Sequence, residues 1–240
     1  MITYITQPTY LPWIWLFKAI DIADVFVFYD DVQFEKQSWQ SRNKILNSNK
    51  FDFIYLSINI NKKEYWKNIW DIFINDVFFY KKHLDILKNN YRKKPFLNEV
   101  IELLNSIYVN NYSNLSELNI ALIKWISEYI WINTVFKKSS ELSIKWWKTS
   151  RLINICQFFN SKEYLSPLWS KEYLDSKLFI KAWITLKYLD FEHPIYNQWR
   201  EKFFPYLSII DCLINIWPIE TKKIIKNIKL KWENKWLNTD

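Results

Sequence analysis

The sequence predicts an α/β fold with a βαβ-type N-terminal sheet, a helical middle and a mixed α/β C-terminal part. Three observations carry this reading. A strand, a loop, a helix and a second strand follow one another within about thirty residues, the length of a βαβ unit. Between Asn61 and Asn110 the chain turns polar, with apolar residues at helical spacing. Beyond that, strand-like runs alternate with apolar helical stretches.

The elements follow in order. "MITYIT" alternates and is rich in β-branched residues, so it reads as a first strand. "QPTYLP" breaks it, and "WIWLFKAIDIA" continues as a short amphipathic helix. "DVFVFYDDV" is a continuous apolar run ending in two acids, as in a buried parallel strand with an exposed carboxyl end. Ligands of such sheets bind at the carboxyl ends of strands, which puts Gln7 to Tyr10 and Asp30 to Gln33 on one edge. "KFDFIYLSINI" is a further strand, and the helical middle runs on either side of Pro95. In "NLSELNIALIKWISEYI" either Ser113 or Asn114 can cap the helix. "INTVF" follows as a strand, and "TSRLINICQFF" is a helix that Thr149 can open. "EYLSPLWS" reads as strand and loop, "ITLKYLDF" as a strand, and "FFPYLSIIDCLINI" as a helix. Residues 219–240 read as a solvated, Lys-rich helical tail. With no repeat, linker or low-complexity block, residues 1–240 are expected to form a single domain.

Composition adds an anomaly. The 240 residues include 15 Trp and no Gly, where ordinary usage of about 7% would supply roughly 17 Gly. Many Trp stand where a helix should stop or a turn needs a left-handed backbone: Trp131, Trp146 and Trp147, Trp183, and Trp217 before Pro218. Either Trp is simply core, or the gene reads UGA as glycine and is written here with tryptophan. The abundance of Lys, Ile and Asn suits an AT-rich gene in which UGA is frequent. On the second reading these Trp should be exposed or crowded at turns.

The net charge of +8 and pI near 9.2 suit an anionic partner, although AT-rich codon usage raises Lys without any function. Two cysteines in apolar helical patterns argue against a disulfide framework. Without a signal-peptide pattern or a stretch of 18 apolar residues, a cytoplasmic protein with no membrane span is expected. Two distant His and two apolar Cys make no metal site. No phosphate loop or Gly-rich fingerprint emerges even if every Trp is read as Gly, so no cofactor is expected.

The densest polar stretch is "YDDVQFEKQSWQSRNKI". Asp30 and Asp31 point to opposite faces of a strand, and Gln33 shares the face of Asp31. Arg42 and Asn43 follow in an expected loop, where Arg42 offers a planar fork for phosphate or carboxylate. The same residues also suit a solvated strand end with an internal ion pair. In "FEHPIYNQ", His193 is either a general base or a loop residue, with Tyr196 and Gln198 close behind. Cys156 is either an acyl-accepting nucleophile or a small buried hydrophobe. His83, in a Lys-rich helix, reads as exposed.

Taken together, "QPTYLPWIWLF", "DVFVFYDDVQFEKQSWQSRNKI", "SSEL", "RLINIC", "YLSP", "EHPIYNQ" and "FFPYLSIIDCLIN" resemble the WbqC-like protein family, in order from about residue 2 to 218. The family pattern has an aromatic residue or Trp at Trp13, Trp at Trp39, glycine at Trp15, and glycines near Trp131, Trp147, Trp183 and Trp217. The chain departs from it at Leu168 and Ser170. The resemblance implies a place in surface-polysaccharide or O-antigen assembly, tailoring a nucleotide-linked amino sugar by N-acyl or aminoacyl transfer. The matched motifs contain the polar residues singled out above, and for such an enzyme the residues themselves suggest that Gln7, Tyr10, Asp30, Gln33, Arg42, Asn43, Tyr196 and Gln198 bind substrate. His193 is the general base for the amine that Asp31 or Asp30 and Gln33 hold, with Cys156 as an alternative acyl carrier. The rival expectation is a non-catalytic protein of the same pathway that binds a sugar nucleotide or an acidic acyl carrier protein. RNA binding rests on charge alone, so nucleic acid is not an expected partner.

Overall fold

The structure is a computed structural model that describes residues 1–145 and 148–234. Its centre is a six-stranded sheet in the order β5-β2-β1-β6-β7-β8. The strands are β1 (Ile2–Thr6), β2 (Val25–Phe28), β5 (Val135–Lys138), β6 (Glu163–Pro167), β7 (Thr185–Phe191) and β8 (Leu230–Asn234). All neighbours are parallel except β7 and β8, which run antiparallel. The chain is thus a mixed α/β protein with a mostly parallel central sheet.

Alternation along the strands sorts the core into two layers. Tyr4, Phe26, Phe28, Leu165 and Leu189 face helix α1 (Ile14–Ile22), the helical middle, α7 (Ile209–Asn215) and α8 (Pro218–Asn227). Ile5, Val25, Val27 and Tyr164 face α5 (Lys148–Phe158) and α6 (Ser176–Lys181). Burial on both sides explains why the central strands read as apolar runs. The helical middle consists of α2 (Phe79–Asn90), α3 (Leu97–Tyr108) and α4 (Leu115–Tyr129). Asn114 caps α4, its side chain accepting from the Glu117 amide.

Three local expectations change. Arg42 and Asn43 are not in a loop: they open β3 (Arg42–Leu46), which pairs antiparallel with β4 (Phe53–Ser57) in a separate two-stranded sheet. The short "RNKIL" alternation becomes a strand because a partner lies one turn away. The helix expected over "FFPYLSIIDCLINI" starts only at Ile209, where the Ser208 hydroxyl caps it; Pro205 upstream lacks the amide a longer helix needs. The tail is helical only to Asn227, after which β8 pairs with the edge of β7. An unpaired strand edge outweighs a Lys-rich composition.

The tryptophans divide by backbone. Trp131, Trp183 and Trp199 have φ of 55°, 57° and 55° and are 52%, 86% and 58% exposed. Each holds a left-handed conformation that costs a side-chain-bearing residue about 1–2 kcal/mol. Trp217 is also exposed but has φ of −57°, and Trp15 lies within α1. Trp146 and Trp147 lie outside the described residues. No helix among the described residues is long and apolar enough to cross a membrane.

Candidate functional site at the crevice between β1 and β6

From β1 the chain builds β2 and then β5 on one side, and β6 and then β7 on the other. Counted along the chain within this sheet, the order is 3-2-1-4-5-6. The loops leaving the first and fourth strands therefore diverge and open a crevice at their carboxyl ends. A cavity of about 680 Å³ lies there. Ile5, Thr6 and Gln7 line it from β1, Tyr164, Ser166 and Pro167 from β6, and Trp13, Trp15 and Leu16 from the start of α1. Thr9, Tyr29, Glu35, Trp39, Asn43 and Tyr173 are also part of the wall.

The loop from Gln7 to Pro12 is held rigidly. The Gln40 side chain donates to Gln7 Oε1 at 2.9 Å, and Asn119 Nδ2 donates to the Pro8 carbonyl at 3.1 Å. The Tyr10 amide donates to Trp39 O at 2.8 Å. Leu11, fully buried with φ of 42°, has its carbonyl gripped by Asn43 Nδ2 and Ser208 Oγ, each at 2.7 Å. A left-handed leucine persists only where its surroundings over-determine it. Trp13 Nε1 donates to Asn43 Oδ1, so Asn43 joins the loop, the helix start and β3. Trp15 packs on Trp169 and Phe191 with its Nε1 buried and lacking a hydrogen-bond partner among the described residues. It also lines a second cavity of about 670 Å³ on the β7 side.

The predicted residues separate into groups. Gln7 and Asn43 line the crevice. Asp30 is buried and accepts from the Ser140 amide and hydroxyl, at 3.0 and 2.8 Å, and from Ser139 Oγ. Asp31 accepts from Ser139 at 2.5 Å and pairs with Arg151, whose guanidinium lies 5.0 Å from the Tyr29 ring centre. This network ties the ends of β2 and β5 to α5. Ser139, Ser140 and Arg151 escaped selection as individual residues, although the quoted motifs "SSEL" and "RLINIC" contain them. Gln33 is exposed and its backbone bridges to Asn68. The Arg42 guanidinium stacks on Tyr55 at 4.5 Å.

Tyr10 is fully buried. Its hydroxyl lies 2.6 Å from that of Tyr108 and 2.9 Å from His83 Nδ1, while His83 Nε2 lies 3.2 Å from Ser57 O. His83 is therefore buried, not exposed; it sits on the apolar face of α2 and burial pushes its pKa down to about 4. Cys156 is buried between α5 and the sheet, and burial pushes its thiol up to about 12. Tyr196 and Gln198 both donate to Asp211. His193 donates from Nδ1 to Pro194 O and rests against Phe203 and Tyr206, with Nε2 buried and lacking a partner among the described residues. Burial lowers its pKa, the hydrogen bond to Pro194 opposing. Tyr206, not His193, lines the second cavity. Among the described residues, no three His, Cys, Asp or Glu side chains gather as metal ligands would.

No solved structure matches the chain. The uncharacterized protein Rv1507c of Mycobacterium tuberculosis is 31% identical over 214 residues, covering 88% of this chain and 92% of that protein. The family model described as the WbqC-like protein family matches residues 7–223, which include the crevice loop, the Asp30–Asp31 network and the Asp211 cluster. On that match, the chain belongs to the WbqC-like protein family.

Proposed function

We propose that the chain binds a nucleotide-linked amino sugar in the crevice between β1 and β6 and tailors it by N-acyl or aminoacyl transfer in surface-polysaccharide assembly. The observation that carries this reading is the cavity itself, set at the divergence of β1 and β6 and walled by aromatic rings with a few polar groups. Trp13, Trp39 and Tyr173 offer flat apolar faces to a sugar or base. Thr6, Thr9 and Glu35 line the cavity and make no side-chain hydrogen bond among the described residues, which leaves them available to hydroxyls and an amine.

In this mechanism Glu35 takes the proton from the ammonium or attacking amine of the sugar. The amine nitrogen then forms the new bond to the donor carbonyl, and the donor's leaving group departs with the displaced electron pair. An acyl carrier protein suits the basic surface as donor. Glu35 is better placed for the base than His193, whose Nε2 is covered, and a thiol at about 12 suits Cys156 poorly as an acyl carrier. A second reading, a sugar-nucleotide-binding protein without chemistry, is favoured by the absence of both sequence-predicted groups, His193 and Cys156, from the cavity wall.

The test is mass-spectrometric identification of ligands co-purifying with the native protein, followed by turnover assays on the ligand found. Glu35→Gln is expected to lower turnover by about 10²–10⁴-fold, the usual worth of acid–base catalysis, with little change in binding. Binding without turnover in the wild type selects the second reading. Full turnover in Glu35→Gln alongside a dead His193→Gln would return the base to His193.

A further inference from the structure

The cavity wall has no lysine or arginine among the described residues, and its carboxylate, Glu35, would repel a diphosphate. Two cations stand on the β3–β4 hairpin, which contributes Asn43 to that wall. Alternation sends Asn43 inward to the crevice and Arg42 and Lys44 to the opposite face of β3. There Lys44 Nζ stands 4.1 Å from the Phe53 ring centre and 5.6 Å from that of Trp39, a residue of the crevice wall. Arg42 lies over Tyr55, directly across the ladder from Lys44. Some half-buried cations of this protein are neutralised, as Lys187 is by Glu163 and Arg151 by Asp31, and others donate to backbone carbonyls, as Lys18, Lys94 and Arg200 do. Neither Arg42 nor Lys44 has a carboxylate partner among the described residues, and Arg42 Nε is buried without a hydrogen-bond acceptor.

We infer that this face of the hairpin is the anion-binding rim of the crevice, where Arg42 and Lys44 hold the diphosphate of a nucleotide-linked ligand; the assignment rests on the crevice reading above. Aromatic rings attract cations and restrict their side chains before a ligand arrives, so less freedom is lost on binding. Arg42 supplies a planar fork and Lys44 a point charge, a pairing suited to adjacent phosphate oxygens.

Uridine diphosphate, uridine and inorganic pyrophosphate are titrated calorimetrically into the full chain and into Lys44→Gln and Arg42→Gln, each variant checked by thermal melting. The diphosphate should bind at least about tenfold more tightly than uridine, and its affinity should fall with salt. Each variant should lose about tenfold for uridine diphosphate and pyrophosphate and nothing for uridine. Equal diphosphate affinity in wild type and both folded variants overturns the rim while leaving the crevice standing. Pyrophosphate binding that depends on both residues, with no contribution from the nucleoside, keeps the rim and removes the nucleotide reading. If Arg42→Gln does not fold, Lys44→Gln and the salt dependence decide.

Discussion

Two polar regions of this molecule differ in what their hydrogen bonds are used for. Around Asp211 every donor is spent inside the protein. Its buried carboxylate accepts from Tyr91 at 2.7 Å, Tyr196 at 2.8 Å and Gln198 Nε2 at 2.9 Å, while Gln198 Oε1 accepts from the Phe204 amide. The cluster pins the segment after β7 to α2 and α7. In the crevice, Thr6, Thr9 and Glu35 line a cavity and make no side-chain hydrogen bond among the described residues. A closed cluster stabilises and an open one can bind. The Asp30–Asp31 network with Ser139, Ser140 and Arg151 resembles the first, because both carboxylates have partners inside the protein.

That contrast can be broken by mutation. Asp211→Ala should cause the largest stability loss, about 3 kcal/mol or more in urea unfolding, because each buried donor left unpaired costs about 1–3 kcal/mol. A loss below about 1 kcal/mol would show that the cluster is not closed. Next comes His83, whose folded pKa of about 4 lies below the ordinary 6.5. The unfolded chain binds the proton first, so stability is full above pH 6.5 and declines as pH falls through 4. The total is about 3 kcal/mol at 1.36 kcal/mol per pH unit. In His83→Gln that part of the pH dependence should vanish from the melting profile.

Smaller effects are expected where backbone alone is at stake. Trp131→Gly and Trp183→Gly should each stabilise the chain by about 1–2 kcal/mol, since glycine adopts positive φ freely. Peptide mass spectrometry of the native protein tests the same point directly. Glycine at 131 and 183 with tryptophan at 39 supports UGA recoding, and tryptophan at all three removes it. Thr9→Ala in the open region should shift stability by no more than about 0.5 kcal/mol, while weakening the ligand found in the crevice. A Thr9 variant as unstable as the Asp211 one would erase the distinction between the two regions.

The sequence by itself determined the class of fold, the βαβ start, the apolar spacing of the helices and a cap for α4 at Ser113 or Asn114, of which the structure uses Asn114. These depend on local periodicity and on side chains that bond to their own backbone. It also marked Trp131 and Trp183 as misfits, because a joint between elements restricts φ whatever the rest of the chain does. Only the tertiary structure decided the rest. Arg42 and Asn43 became strand because a partner hairpin arm was available, and Leu230–Asn234 became strand because β7 had a free edge. His83 is buried because its face of α2 meets Tyr10 and Tyr108, residues 73 and 25 positions away. The crevice unites the ends of β1 and β6, about 160 residues apart in the chain. Such a site leaves no local pattern, because its residues are neighbours only through the order of strands in the sheet.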